Sequence, residues 1–245
     1  MLLDSIINEV DPSWNEFISN KEVQLELKKI ENNIGNEYYP DTKNVLRFLK
    51  NNLNNVKCII VGMDPYLSET SEHIPYATGR SFEVYGYNNW TDTTRKSSIN
   101  NILKSIYSIN NENNISINEI REKIKDKSFN ILPPNELFDN LEQQGVLFLN
   151  YGLTVSKNKS GSHLKYWSKF SLMLTKYILE HTKNVKWLLW GNDVQNIYCD
   201  IIPEENQLLN CHPRLSKFLN KNNFSKIDSI DFTGKKNKTR NELVK

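Results

Sequence analysis

Three short apolar runs in this 245-residue sequence each lead into a side chain that can do chemistry. The run at 58–61 leads through Gly62 and Met63 to Asp64 and, past Pro65, to Tyr66. The run at 146–149 ends in Asn150, and the run at 207–210 is followed by Cys211 and His212. A carboxylate and an imidazole stabilise or move charge, an amide both donates and accepts hydrogen bonds, and an aromatic ring offers an apolar face. Gly62 lets the backbone leave its strand and Pro65 fixes φ just beyond Asp64, so that carboxylate is held in place. Each position also has an ordinary explanation. Asp and Pro punctuate turns, an amide at a strand end caps the next loop, and a histidine before Pro213 can serve a turn. In a parallel sheet the strand ends share one edge, where the ligands of open α/β sheets collect. The recurrence along the chain therefore points to one pocket.

The elements that must carry these residues are legible in outline. The runs at 57–61, 146–150, 186–190 and 207–210 read as strands, the first of them apolar enough to be covered on both faces. Helical spacing runs through 13–34, from Trp14, Phe17 and Ile18 to Val23, Leu27 and Ile30. A second amphipathic helix is predicted over 45–53, a third over 98–109 with Ser98 as its N-cap, and a fourth over 166–181. The stretch 67–80 reads as a loop, and the polar, Asn-rich stretch 110–130 as an irregular or helical surface excursion. Strands alternating with helices predict an α/β protein: a single-domain three-layer sandwich over 1–245, with a central, mainly parallel four-stranded sheet flanked by helices.

Composition narrows the function classes. A net charge of +2 neither demands nor excludes a nucleic acid partner, because a local patch counts for more than the total. The three cysteines, Cys58, Cys199 and Cys211, stand far apart with no C-x-x-C pair, which predicts reduced thiols. The four histidines, His73, His163, His181 and His212, lack metal-ligand spacing, and no metal or organic cofactor is expected. The start, Met1-Leu2-Leu3-Asp4, has neither the basic region nor the apolar core of a signal peptide. No segment approaches the roughly 20 apolar residues of a membrane span. A soluble, cytoplasmic monomer is expected.

Taken in order, the motifs resemble those of family 1 uracil-DNA glycosylases over residues 13–225. Gly62-Met63-Asp64-Pro65-Tyr66-Leu67 is similar to the family's Gly-Gln-Asp-Pro-Tyr-His, and Gly79-Arg80-Ser81-Phe82 to its Gly-x-x-Phe. Gly145-Val146-Leu147-Phe148-Leu149-Asn150, continuing to Leu153-Thr154-Val155, resembles its Gly-Val-Leu-Leu-Leu-Asn-x-x-Leu-Thr-Val strand. Ser162-His163 with Trp167 and Phe170, then Leu188-Leu189-Trp190-Gly191, follow at family-like spacing. His212-Pro213-Arg214-Leu215-Ser216 is similar to the family's His-Pro-Ser-Pro-Leu-Ser.

The resemblance implies an enzyme that flips uracil out of DNA and hydrolyses its N-glycosidic bond. It assigns Asp64 to the attacking water and the cationic sugar, and His212 to the uracil anion. Phe82 would stack on the base, the Asn150 amide would read its edge, Tyr66 would block a thymine methyl, and Met63 would line the same pocket. Ser98, Ser162 and Ser216 would donate to phosphates, with Arg214 beside them and Leu215 as the wedge. Lys217, Lys221 and Lys226 make the surrounding segment basic. The implied partner is uracil-containing DNA, single- or double-stranded, with a DNA-mimicking protein inhibitor as a further one.

The sequence departs from the family pattern at several points. Met63 stands for Gln and Leu67 for His, the His212 loop is shorter, and 90–96 replaces a proline-rich loop. A short, Arg-bearing loop would wedge less deeply and favour single-stranded or weakly paired substrate. The competing reading is a DNA-binding or replication-accessory protein on the same scaffold, with weak or no glycosylase activity.

Overall fold

The computed structural model describes residues 1–95, 97–111 and 115–235. Its centre is a four-stranded sheet in the order β2-β1-β3-β4, built from β1 (Cys58–Gly62), β2 (Val146–Asn150), β3 (Lys186–Trp190) and β4 (Gln207–Asn210). Every pairing is parallel, so the sheet is wholly rather than mainly parallel. The register sets Gly62 opposite Asn150 and Trp190 opposite Asn210. All four carboxyl ends thus lie along one edge.

Alternation within each strand divides the core in two. Ile59, Val61, Leu147, Leu149, Trp187 and Leu189 face one side, packed by α2 (Lys21–Ile34) and α7 (Leu164–His181). Cys58, Ile60, Val146, Phe148, Leu188 and Trp190 face the other, packed by α4 (Ser97–Tyr107) and α6 (Pro134–Gln144). Covering both faces is what makes such strands read as unbroken apolar runs. Trp14 and Trp167, each fully buried, close the first layer.

Several helices differ from their expected bounds for local reasons. The helix expected over 13–34 is a 3₁₀ turn at Pro12–Trp14 followed by α1 (Asn15–Ser19) and α2. The break falls at Asn20, whose side chain accepts from the N–H groups of Glu22 (2.8 Å) and Val23 (3.4 Å) and restarts the helix. The helix expected over 45–53 is α3 (Thr42–Val45) with 3₁₀ turns at Arg47–Lys50 and Leu53–Asn55, the second capped by Asn52. Ser98 is not an N-cap; α4 already begins at Ser97. Within 110–130, α5 (Ile117–Lys125) forms behind a Ser116/Glu119 capping box and buries Ile120 fully; residues 112–114 lie outside the described residues. Sequence spacing did not reveal α6, which Pro134 opens and left-handed Gly145 closes, or the short α8 (Asn192–Tyr198).

Candidate active site

A cavity of about 330 Å³ opens at the carboxyl edge of the sheet. It is lined by Met63, Asp64 and Tyr66 after β1, by Asn150 at the end of β2, by Trp190 at the end of β3, and by His212 after β4. Phe82 and Ser98 complete the wall. Seven sequence-predicted residues, from four separate segments and one helix, therefore share one space. Ser162, Arg214, Leu215 and Ser216 are not among the lining residues. Arg214, Leu215 and Ser216 lie exposed on the turn after His212, with Leu215 at 46% exposure. Ser162 sits in the 156–163 turn, where its Oγ accepts from the N–H of Ser156 at 2.9 Å.

Asp64 is anchored from one side only. Its Oδ2 accepts from the N–H of Gly161 at 2.7 Å and from Ser160 Oγ at 3.0 Å. Among the described residues no partner engages Oδ1. A carboxylate with one oxygen tethered and the other open can hold and orient a small polar molecule. Neither Ser160 nor Gly161 was singled out from sequence; their proximity to Ser162-His163 was the available signal. His163, buried behind this turn, bonds Thr154 Oγ1 and Ser156 Oγ, both at 2.9 Å, and burial lowers its pKa. A second tie joins the turn to the loop after Tyr66. Asn158 N–H donates to the Leu67 carbonyl at 2.8 Å, and Glu69 accepts from Lys157 Nζ, Tyr39 Oη and His73 Nδ1.

Asn150 is 6% exposed, and among the described residues its side-chain amide has no hydrogen-bond partner. It lines the cavity, where an amide can both donate to and accept from a ligand. It fits only because Gly62 has no side chain: a Cβ there would lie 2.3 Å from Asn150 Oδ1. That close approach, rather than freedom to leave the sheet, is the reason for glycine, because Gly62 remains the last residue of β1.

His212 sits against left-handed Gly191, where a Cβ would meet the His212 Cβ at 3.3 Å. Its Nδ1 accepts from the N–H of Arg214 at 3.1 Å, which leaves the proton on Nε2. Burial chiefly, and the Arg214 charge next, push its pKa down, with Asp193 opposing. The imidazole is therefore neutral at pH 7 and presents a donor. Its loop is held from two directions: Asn101 of α4 donates to the Pro213 carbonyl at 2.6 Å, and Asn210 donates to the carbonyls of Phe218 and Lys221.

The Phe82 ring lies 5.5 Å from Trp190 and 6.1 Å from His212, centroid to centroid. Trp190 is itself fixed by Asn223 and by edge contacts with Phe218 and Phe224. Phe82 has φ +64°, a conformation that costs about 1–3 kcal/mol for a residue with a side chain. Burial holds the Tyr66 hydroxyl well above its usual pKa, and its ring packs with Tyr39, Ala77 and Val155. Among the described residues no three His, Cys, Asp or Glu side chains form a metal-binding group, and no helix is long and apolar enough to cross a membrane.

Fold and site together define an α/β protein with a cavity at its strand ends, walled by an aromatic ring, an amide, a carboxylate and a neutral imidazole. No family model matches the chain. A uracil-DNA glycosylase of Borreliella burgdorferi is 28% identical over 246 residues, spanning 94% of this chain and 96% of that protein. One from Pseudomonas aeruginosa is 26% identical over 245 residues, spanning 90% and 94%. Among solved structures, the UNG of Nitratifractor salsuginis superposes with a TM-score of 0.72 at 20% identity, covering 95% of each chain. A mimivirus UNG variant in complex with UGI gives 0.64 at 20% identity over 84% of this chain and 72% of that one. Over nearly its whole length the chain is similar, as a divergent relative, to uracil-DNA glycosylases.

Proposed function

We propose that the protein excises uracil from DNA by hydrolysing the N-glycosidic bond, and that the cavity at the sheet edge is where it does so. The observation that carries this reading is the meeting of Asp64, Phe82, Asn150 and His212 on one cavity large enough to admit a base. A flipped uracil would lie against the Phe82 ring. The Asn150 amide would read O4 and N3 together, a pattern that cytosine cannot match. Tyr66 would exclude a methyl at C5.

As the bond between C1′ and N1 breaks, its electron pair leaves with the base and positive charge develops on the sugar. Asp64, with one oxygen tethered to the 160–161 turn, would stabilise that cation and orient the water that adds to C1′. Neutral His212 would donate from Nε2 to O2 of the departing anion. Both act as preorganised charge stabilisation, present before the charge appears. The added water gives up a proton through Asp64 to solvent and the uracil anion takes one back, so the products are free uracil and an abasic site, and no step calls on a metal or organic cofactor.

Ser98, Ser162, Ser216 and Arg214 would contact phosphates, and exposed Leu215 would fill the space left by the extruded base. The substrate is uracil-containing DNA in either strand state. The UGI-bound mimivirus relative makes a protein inhibitor a natural second partner. The protein would act as a cytoplasmic monomer. The deciding experiment is uracil release from single-stranded and duplex oligonucleotides. Tight DNA binding without release would overturn the enzymatic reading in favour of an accessory protein.

A further inference from the structure

Phe82 holds a backbone conformation that an aromatic residue does not adopt unaided, so its surroundings must impose it. The brace is visible on both flanks. Arg80, two residues before, and Glu83, one residue after, close an ion pair across Phe82, Nη1 to Oε1, at 2.9 Å. Both are buried, at 5% and 8% exposure. Between them Ser81 Oγ donates to the Ile60 carbonyl of β1 at 2.8 Å. The other terminal nitrogen of Arg80 donates to Asp139 and Glu142 of α6. That helix packs against β2, the strand that ends in Asn150. Arg80 also lines the cavity. Its Nε is buried without a partner, so the guanidinium is oriented by its two terminal nitrogens alone.

We propose that Arg80 is a positioning residue for Phe82. The arm to Glu83 locks the turn in its left-handed form, and the arm to α6 sets the ring's placement relative to the Asn150 strand. Ring and amide are thereby held in register for one planar base. The family's Gly-x-x-Phe motif leaves this position open, and the role follows from this chain's own carboxylates at positions 83, 139 and 142. Arginine suits it because a planar fork can hold partners on two sides at fixed angles, where lysine offers one point charge. The catalytic consequence rests on the uracil-excision reading; the brace itself does not.

The test measures single-turnover uracil release from a single-stranded oligonucleotide and the inhibition constant of free uracil, alongside crystal structures of the variants. Arg80→Lys should lower the rate by about tenfold to a hundredfold, the scale of an ångström-sized misplacement, and weaken inhibition by free uracil in step. In a Phe82→Ala background the same substitution should cost no more than about twofold, because its effect passes through the ring. Glu83→Ala, which leaves the α6 arm in place, should reproduce the loss if Arg80→Lys folds poorly. In the crystal of either variant Phe82 should leave the left-handed region. Multiplying losses for Arg80→Lys and Phe82→Ala, or an unchanged positive φ at Phe82, would overturn the proposal. A wild-type protein that releases no uracil would overturn the excision reading instead, and the φ of Phe82 would still decide the brace.

Discussion

Gly62 and Asn150 face each other across the β1–β2 pair so closely that a methyl on Gly62 would overlap the Asn150 amide oxygen, at 2.3 Å. The amide that lines the cavity is thus placed by the absence of a side chain on the neighbouring strand. Gly62→Ala should push it out of position and lower uracil excision at least about tenfold, with weaker rejection of cytosine. Excision assays on matched uracil and cytosine oligonucleotides, with a melting curve to confirm folding, check this. Full activity would mean that the amide does not read the base.

Asp64→Asn and His212→Leu should each reduce turnover at least about a hundredfold, the scale for losing one preorganised charge-stabilising group. Ser160→Ala should be milder than either, because the Gly161 N–H still holds Oδ2 and only one of its two hydrogen bonds, worth about 1.5–3 kcal/mol with a charged acceptor, is lost. A Ser160→Ala loss as large as that of Asp64→Asn would show that the hydroxyl has a role beyond the tether.

The two depressed histidines set an acid dependence. His163 and His212 both have folded-state pKa values below the ordinary 6.5, for which burial is the leading cause. The unfolded chain then binds the proton more readily, so their contribution to stability is complete above about pH 6.5 and is lost as the pH falls toward the folded values. Urea midpoints should drop between pH 7.5 and 5.5, and His163→Gln should reduce that drop. An imidazole NMR titration of His212 centred at or above 6.5 would contradict the lowered pKa.

Tyr66→Ala should open space at C5 of the bound base and yield measurable release of thymine, read on a thymine-containing oligonucleotide. The Tyr66 ring packs with the cluster of Tyr39, Ala77 and Val155, so the variant's melting temperature should fall as well. No thymine release from a folded variant would remove the steric gate.

Leu215 stands 46% exposed on a turn closed by its own N–H to the His212 carbonyl at 3.0 Å. If it fills the gap left by a flipped base, Leu215→Ala should slow excision from duplex DNA several-fold more than from single strands, where unstacking costs less. Equal losses on both substrates would assign Leu215 to its own loop.

Much of the architecture was legible from local patterns. β1, β2 and β3 declare themselves because apolar runs covered on both faces leave little ambiguity in a one-dimensional signal, while half-buried β4 shows by its Leu208-Leu209 pair and α7 by its helical spacing. The helices that were missed or misdrawn are those decided by caps. Asn20 interrupts an unbroken helical periodicity, and α6 is marked by its proline and glycine ends more than by its apolar stripe.

The site divides in the same way. Asp64, Tyr66, Phe82, Asn150 and His212 could be singled out because each stands in a motif of recognisable order, and strand parity puts four of them near one edge. What the linear order could not contain was which groups hold them. The tether from Ser160 and Gly161 to Asp64 spans nearly a hundred residues, and the Arg80 fork depends on three carboxylates, two of them on a distant helix. Residue types and their periodicity determined the sheet and the chemistry at its edge, because those signals act between neighbours in the chain. Orientation of the carboxylate, tautomer of the imidazole and backbone form of Phe82 were decided only by the tertiary structure, because contacts between remote segments impose them.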